Sequence, residues 1–360
     1  MEQNIKDTSV IKCQNCGANL RFSIKNNALK CDHCGRIQNI KNDEKVVRRD
    51  ITNEILNQFS QWSESVVFGC SNCGAKVDLD KKEIVKNCPF CGSPNILKTD
   101  ELSGIKPDSV IPFSVTKESA FERFKKWIGG KFFAPRKCKK NATADNINGL
   151  YFPSWSFSAD TQSCYNGELG EDYTVTVKDS DGNTHTETRT RWFNVSGNID
   201  AAYRDYLVPS GKLIQNNIIR SLGAYPLNTV KSYKQEYLAG RSAEHYSRDI
   251  KVCFSEFEKY VYSDLCQRIK RRYHADHVGR MSINTAYNKR QFNYLLLPAY
   301  TANFQYKNKV YNFYINGTSG KLVGSYPKSG WKIFFLVFSI AAAVIAVVIG
   351  AAIFFSGLLR

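Results

Sequence analysis

Eight of the twelve cysteines in this 360-residue chain stand in four pairs, each with two residues between its members. The pairs form two sets with the same internal separation: Cys13-x2-Cys16 with Cys31-x2-Cys34, and Cys70-x2-Cys73 with Cys88-x2-Cys91. Every cysteine of the first set has its counterpart at one constant offset along the chain, and the words around them repeat (CQNCGANL against CSNCGAKV). The chain therefore contains an internal duplication, and each copy must fold around its four cysteines.

The spacing predicts a metal site in each copy. Two cysteines that flank two residues form a tight knuckle with both sulfurs aimed at one point, and two knuckles supply four thiolates to a tetrahedral zinc ion. A glycine follows every knuckle, which suits the positive φ expected there. Four cysteine ligands leave no position for a catalytic water, so structural sites are expected, with disulfides or an iron–sulfur or rubredoxin-like iron site as the alternatives. The predicted ligands of two structural zinc ions are Cys13, Cys16, Cys31, Cys34, Cys70, Cys73, Cys88 and Cys91.

Near the C-terminus, the stretch Ile333–Phe355 contains no charged side chain. As a helix this stretch would be roughly 35 Å long, which is enough to cross a hydrocarbon core of about 30 Å. Lys328, Trp331 and Lys332 precede it and have the composition of a membrane interface. We therefore predict a transmembrane helix over residues 331–356, with a buried hairpin or core helix as the alternative.

The charges around this stretch predict its orientation. Lys321, Lys328 and Lys332 precede it and only Arg360 follows it, and positively charged flanks favour the cytoplasmic side of a membrane. We therefore expect a tail-anchored, single-pass protein of the cell membrane, with the bulk of the chain in the cytoplasm and the C-terminus outside. Free thiolates also persist in a reducing compartment, which agrees with this orientation.

The rest of the sequence predicts an α+β fold. Apolar residues at helical spacing over Ile51–Phe59 predict a helical linker between the two cysteine sets. Further along, amphipathic helices are predicted over Lys117–Ile128 and Ala243–Tyr273, and alternating segments between and after them predict an antiparallel sheet. The predicted organisation is zinc ribbon 1 over residues 1–44, a helical linker over 45–67, zinc ribbon 2 over 68–102, a mixed α+β domain with an antiparallel sheet over 109–330, and one C-terminal transmembrane helix over 331–356.

Two segments of the predicted α+β domain resemble each other. LYFPSW begins at Leu150 and LLLPAY begins at Leu295, and both read as strands with a proline at the same place. We predict that these two strands of similar design pair in one sheet.

The chain carries 50 Lys+Arg against 33 Asp+Glu, a formal net charge of +17, which indicates an anionic partner such as nucleic acid or a membrane surface. No acidic residue follows Asp276, so the excess of positive charge grows toward the predicted membrane helix. Anionic lipid attracts each nearby base by about 1 kcal/mol. Two denser basic runs predict either contacts with an anionic surface or a solvated face, and bases are also favoured at helix ends. These candidate contacts are Lys131, Arg136, Lys137, Lys139, Lys140, Arg268, Lys270, Arg271 and Arg272.

The sequence contains none of several motifs that carry common catalytic chemistry. It has no phosphate-binding loop G-x-x-x-x-G-K-[ST], no H-E-x-x-H and no G-x-S-x-G. His274 and His277 flank Asp276, where a solvated helix end is favoured over a metal site. We predict that the protein is not an enzyme and has no catalytic residues.

The order of these features resembles a known family. Paired four-cysteine modules, a β-rich middle, the late segment LLLPAYTANFQYKNKVYNFYINGTSGKLVGSYP and a terminal apolar helix are similar to the bacterial membrane-anchored double zinc-ribbon proteins, of the transcription-factor-IIB-type zinc-ribbon family. Some relatives in Gram-positive bacteria resemble membrane partners of phage-shock-protein-A-like and flotillin-like proteins, which implies a role in envelope stress. Relatives are often labelled primosomal helicases, but this chain lacks a phosphate-binding loop and its cysteine modules are N-terminal.

Taken together, these features favour a non-enzymatic, zinc-binding membrane adaptor or scaffold. Such a protein would contact membrane lipid and recruit cytoplasmic or membrane-associated proteins, of the phage-shock-protein-A-like or flotillin-like kind that the resemblance implies. The alternative is a membrane-tethered zinc-ribbon protein that binds nucleic acid through its ribbons and the basic run from Lys131 to Lys140. The charge excess toward the predicted membrane helix favours the adaptor.

Overall fold

The computed structural model describes residues 11–42, 44–52, 66–70, 76–79, 96–98, 105–136, 147–180, 183–211, 214, 216–306 and 309–358. Over these residues the chain is mixed α+β, with few helices and two sheets. The helices are α1 (Lys117–Gly129), α2 (Asn216–Ser221), α3 (Ile250–Arg272) and α4 (Gly330–Leu358). The strands are β1 (Leu20–Ser23), β2 (Ala28–Cys31), β3 (Ile37–Gln38), β4 (Arg49–Asp50), β5 (Val66–Cys70), β6 (Lys76–Leu79), β7 (Ile96–Lys98), β8 (Ser109–Val110), β9 (Ile147–Lys178), β10 (Thr184–Pro209), β11 (Lys231–Ser232), β12 (Ser242–Glu244), β13 (His277–Tyr306), β14 (Lys309–Asn316) and β15 (Leu322–Gly324).

Three long strands, β9, β10 and β13, organise the larger sheet. β9 has 32 residues and pairs antiparallel with β10 along one edge and with β13 along the other. At about 3.3 Å per residue, β9 extends over roughly 100 Å. β12 pairs in parallel with β9, and β8 pairs in parallel with β13. The antiparallel sheet predicted from the sequence therefore describes the long strands, whereas the complete sheet is mixed.

The predicted pairing of LYFPSW with LLLPAY is confirmed by the register of β9 and β13, in which Leu296 lies opposite Pro153. This part of the sheet carries much of the aromatic core, with Trp155 packed against the rings of Phe292 and Tyr294. α1 covers the neighbouring strands, and its Phe124 ring lies 4.7 Å from the ring of Phe313 in β14. The helix predicted at residues 117–128 is thus confirmed.

The outer parts of β9, β10 and β13, at residues 160–201 and 277–290, form an extension that we call the arm. α3 packs on one face of the arm with an apolar stripe, whose buried members are Ile250, Cys253, Phe254, Phe257, Val261, Leu265, Cys266 and Ile269. The opposite face is polar and exposed, with residues such as Gln162, Asn166 and Asn284. α3 begins at Ile250 rather than at the predicted Ala243, because Ala243 takes part in pairing of β12 with β6 and β9.

The segment that follows the N-terminal sheet is extended where a helical linker was predicted. β4 pairs antiparallel with β13, with Arg49 opposite Phe292, and the Arg48 guanidinium binds both carboxylate oxygens of Asp205 at 3.1 and 2.8 Å. Residues 45–52 therefore form no helix, because their backbone and side chains are used in pairing with the larger sheet. Residues 66–67 also belong to a strand, β5, and residues 53–65 of the predicted linker lie outside the described part of the chain.

α4 contains the apolar stretch near the C-terminus. Its 20 residues Gly330–Ile349 have a mean hydropathy of 2.8, and none of this apolar window is buried against the rest of the described chain. Side chains such as Val344 and Val347 are exposed along it. The helix is long and apolar enough to cross a membrane, as the sequence predicted.

Candidate functional site

The two knuckles of the first cysteine set share one backbone geometry. In each, the amide of the following glycine donates to the carbonyl of the first cysteine, Gly17 to Cys13 and Gly35 to Cys31, both at 2.9 Å. The glycines have φ values of 72° and 73°, in the left-handed region that side chains with a Cβ rarely adopt. The glycine after each cysteine pair is therefore required by the turn that presents the two sulfurs.

The sulfur atoms of Cys13, Cys16, Cys31 and Cys34 all lie within 4.8 Å of one another. The Sγ atoms of Cys13 and Cys34 are 3.6 Å apart, and those of Cys16 and Cys31 are 3.5 Å apart. Four sulfurs placed about 2.3 Å from a central zinc ion lie about 3.8 Å from one another in a tetrahedron. These four cysteines can therefore hold a metal ion, and zinc suits the four-sulfur donor set, in which it would serve as a structural cross-link.

The charge state of the cluster depends on backbone amides and on the other sulfurs. The amide of Arg36 donates toward Cys34 and lowers the pKa of that thiol to about 6. The amide of Ala18 likewise lowers the pKa of Cys16. The neighbouring thiols outweigh this effect, with the largest contribution from Cys31, and the pKa of Cys16 is raised to about 12. Four thiolates at this distance repel one another, so a bound cation allows all four to be deprotonated together.

The N-terminal module of β1, β2 and β3, which we call ribbon 1, packs against the unit of the larger sheet and its helices α1 to α3, which we call the body. Phe22 is buried, its ring centroid lies 5.5 Å from that of Tyr237, and its amide donates to the Ala239 carbonyl at 3.2 Å. The Arg241 guanidinium lies 5.5 Å from the Phe22 ring and 4.6 Å from the ring of Phe113, which belongs to the core of the larger sheet. Arg241 therefore joins ribbon 1 to that core. No local sequence signal marks this residue, because Phe22 lies 219 positions away.

Replacing Arg241 with alanine is expected to loosen ribbon 1. Each cation–π contact contributes about 0.5–2 kcal/mol, so we expect the ribbon to open locally about tenfold more often for every 1.4 kcal/mol lost. Hydrogen exchange of the amides of β1 and β2, measured by mass spectrometry on the full chain, would show this as faster exchange. The matched control is Arg189→Ala, which removes an exposed arginine of the arm and should leave ribbon 1 unchanged. Equal exchange in both variants would contradict the assignment.

Most of the second cysteine set lies outside the described residues. Cys70 is the last residue of β5, and the structure does not describe Cys73, Cys88 or Cys91. The described strands nevertheless follow the duplication. When the two copies are aligned on their cysteines, β6 lies at the place of β1 and β7 at the place of β3, and their starts are displaced by only one and two positions. A second metal centre here stays a prediction.

The basic run at the end of α3 is engaged within the protein. Each of its four bases contacts an oxygen atom of another residue. Arg268 binds Asp264 at 2.5 Å, Lys270 donates to the Asp276 carbonyl at 2.6 Å, and Arg272 donates to the Asn198 carbonyl at 3.0 Å. The fourth, Arg271, donates to the carbonyl of Gln267 one turn earlier. The contacts of Lys270 and Arg272 attach the end of α3 to residues outside the helix, and the run fits the preference for bases at a helix C-terminus.

The other basic run begins in the loop after α1. Lys131 Nζ lies 4.9 Å from the centroid of the Trp127 ring, and Arg136 is exposed, whereas Lys137, Lys139 and Lys140 lie outside the described residues.

Of the predicted membrane-interface residues, Lys328 and Trp331 are exposed, and Lys332 reaches back to the loop after α1. Its ammonium donates to the carbonyls of Phe132 at 2.7 Å and Ala134 at 3.0 Å. The structure thus brings together two sets of residues that the sequence analysis treated separately.

One curated relative covers nearly all of this chain. The chain is 26% identical over 331 residues to "Uncharacterized protein YdjG" of Bacillus subtilis (strain 168), a match that spans 89% of this chain and 91% of that protein. No protein-family model and no solved structure matches this chain. A match of this length covers far more than the cysteine motifs, and the four-cysteine cluster is compatible with the zinc ribbon that the sequence resemblance implied.

Proposed function

We propose that this protein is a non-enzymatic membrane adaptor, with two zinc ribbons and one transmembrane helix, that recruits other proteins to the cell membrane. The observation that carries the proposal is the uncovered apolar surface of α4, whose most apolar window has no buried part. Exposed apolar surface of this extent is unfavourable in water and is stabilised by lipid. An anchor of this kind gives the protein a fixed place at the bilayer.

The charges beside α4 support the orientation of the proposed anchor. Lys321 and Lys328 are exposed on its N-terminal side, where the folded body also lies. Positive charge near a membrane helix favours the cytoplasmic side. The body is therefore proposed to be cytoplasmic, with the residues after α4 on the opposite side.

The zinc sites are proposed to be structural. A cluster of four cysteine sulfurs satisfies the tetrahedral shell of zinc and leaves no open position for substrate. The repeat of the cysteine spacing supports a second ion bound by Cys70, Cys73, Cys88 and Cys91. On this proposal the ions stabilise the modules and perform no reaction.

The arm supports a role in binding proteins. Among the described strands β10 pairs only with β9, so its outer edge is open to further backbone pairing. Tyr173 of β9 and Trp192 of β10 are about half exposed on the arm, and aromatic side chains are enriched in the buried centres of protein interfaces. Partners of the phage-shock-protein-A-like or flotillin-like kind, acting in envelope stress, are proposed from the family resemblance.

Purification of the full chain from detergent-solubilised membranes, after chemical cross-linking in cells, would test the proposal. We expect a membrane-associated protein partner and two zinc ions per chain. A matched variant that lacks residues 330–360 should appear in the soluble fraction and lose that partner. The opposite result is recovery of nucleic acid without a protein partner, together with an affinity for nucleic acid that falls steeply as the salt concentration rises. That result would replace the adaptor with a nucleic-acid-binding function.

A further inference from the structure

The loop after α1, at residues 131–136, is fastened to the first turn of α4, and we call it the aromatic loop. The Ser329 amide donates to the Phe133 carbonyl at 2.8 Å, and the Lys332 ammonium donates to two further carbonyls of the loop. The Lys332 ammonium also lies 5.5 Å from the centroid of the Phe132 ring. The aromatic loop therefore lies at the same level as the beginning of α4.

Phe132 exposes 67% of its surface although it is a large apolar residue. Its ring makes a T-shaped contact with Phe133, with 5.2 Å between centroids. On α4, Trp331 is 70% exposed and its ring lies 4.9 Å from that of Phe335. Two elements distant in sequence, joined by the contacts of Lys332 and Ser329, thus each present an exposed aromatic ring. Aromatic residues are enriched in this way at the boundary between headgroups and acyl chains.

The charges that flank these aromatic residues in the sequence have one sign. Lys131 and Arg136 flank Phe132, Lys328 and Lys332 flank Trp331, and the sequence has no acidic residue from 123 to 136 or after Asp276. An anionic phospholipid surface attracts such a group of bases, and the attraction falls off within a Debye length. A phospholipid headgroup layer is therefore complementary to this face in both charge and polarity.

We propose that the aromatic loop is a second membrane contact, in which Phe132 enters the interface of the bilayer beside α4 while the exposed bases Arg136 and Lys328 bind anionic phospholipid headgroups. This inference rests on the proposed insertion of α4. A single helix leaves the body free to tilt on the membrane, whereas a helix and a loop joined to its first turn fix the body in one orientation. Lys332 couples the two contacts through its hydrogen bonds to the loop.

Photo-cross-linking to lipid tests this inference. We would place p-benzoylphenylalanine at position 132, 338 or 173 of the full chain and reconstitute each protein in vesicles of equal parts phosphatidylglycerol and phosphatidylcholine. Lipid adducts after irradiation would be identified by mass spectrometry. Position 338 reports insertion of α4, and position 173 is an exposed aromatic site on the arm. We expect adducts at 132 and 338 and none at 173, with a lower yield at 132 in vesicles of phosphatidylcholine alone.

The three positions separate the possible failures. Adducts at 338 without adducts at 132 would overturn the loop contact and leave the proposed membrane anchor intact. Absence of adducts at 338 would overturn both proposals. Adducts at 173 as abundant as those at 132 would also overturn the inference, since the loop would then have no preferred place at the membrane. An equal yield at 132 in neutral and anionic vesicles would overturn the headgroup contact.

Discussion

Replacing Cys31 with serine should remove one zinc ion per chain and unfold ribbon 1. Cys31 is fully buried, and its sulfur lies 3.5 Å from that of Cys16 within the four-sulfur cluster. Structural zinc contributes about 10–16 kcal/mol to the folding of small modules, and ligands must be deprotonated to bind it. A serine hydroxyl is not ionised at neutral pH, so it does not replace the lost thiolate. Metal content by mass spectrometry, together with faster hydrogen exchange in β1 and β2, would record the change.

The matched control for this substitution is Cys164→Ser. Cys164 is an exposed cysteine of the arm, outside the cluster, so its replacement should leave the zinc content unchanged. If the native chain binds the two ions that we propose, Cys31→Ser should retain one, bound by the second cysteine set. An undiminished zinc content in Cys31→Ser would contradict the assignment of the cluster.

Replacing Trp155 with alanine should lower the free energy of unfolding by about 3–5 kcal/mol, the range found when a large buried aromatic residue is truncated. Trp155 is 1% exposed and packs against Tyr246, Phe292 and Tyr294, with ring centroids 5.2, 5.8 and 5.0 Å away. Its indole N–H donates to the Arg248 carbonyl at 3.1 Å. The substitution would therefore leave a cavity and remove one hydrogen bond, which denaturant unfolding of the full chain in detergent would measure.

Trp192→Ala is the control with the same change in side chain. Trp192 is 51% exposed, and substitutions at exposed positions usually change stability by less than about 1 kcal/mol. A similar loss of unfolding free energy in both variants would show that the contacts around Trp155 do not stabilise the larger sheet.

The local features of the fold were predictable from the sequence. The knuckles, their glycines and the uncharged stretch of α4 each depend on residues close together in the chain. The apolar stripe of α3 was predictable for the same reason, because Phe257, Val261 and Leu265 recur at the period of a helix. The pairing of β9 with β13 could be inferred because the two segments share a design.

The length of the arm was not predictable from hydrophobic alternation. Beyond the LYFPSW segment that was predicted as a strand, β9 buries Thr161 and Ser163, which are polar. Thr161 donates to the Ala201 carbonyl at 3.0 Å, and Ser163 lies 3.0 Å from the Thr285 hydroxyl. Such residues can be buried because hydrogen bonds across the sheet satisfy them. A pattern of apolar residues therefore stops well before the strand does.

Contacts between distant segments account for the other differences. The helical spacing around Ile51 was outweighed by pairing of β4 with β13, whose partner residue Phe292 lies more than two hundred positions later. The position of ribbon 1 depends on Arg241 in the same way. The candidate site was predictable as a set of four ligands, whereas its attachment to the body was not.

That attachment would make a zinc ion bound by the four cysteines a ligand of the whole fold in the thermodynamic sense. Because ribbon 1 packs on the core through Phe22 and leads directly into β4, its folding is coupled to that of β13. A ligand that binds only the folded state adds stability according to the logarithm of its free concentration over its dissociation constant. The stability of the large sheet should therefore rise with the free zinc concentration, although no residue of β9, β10 or β13 belongs to the four-cysteine cluster.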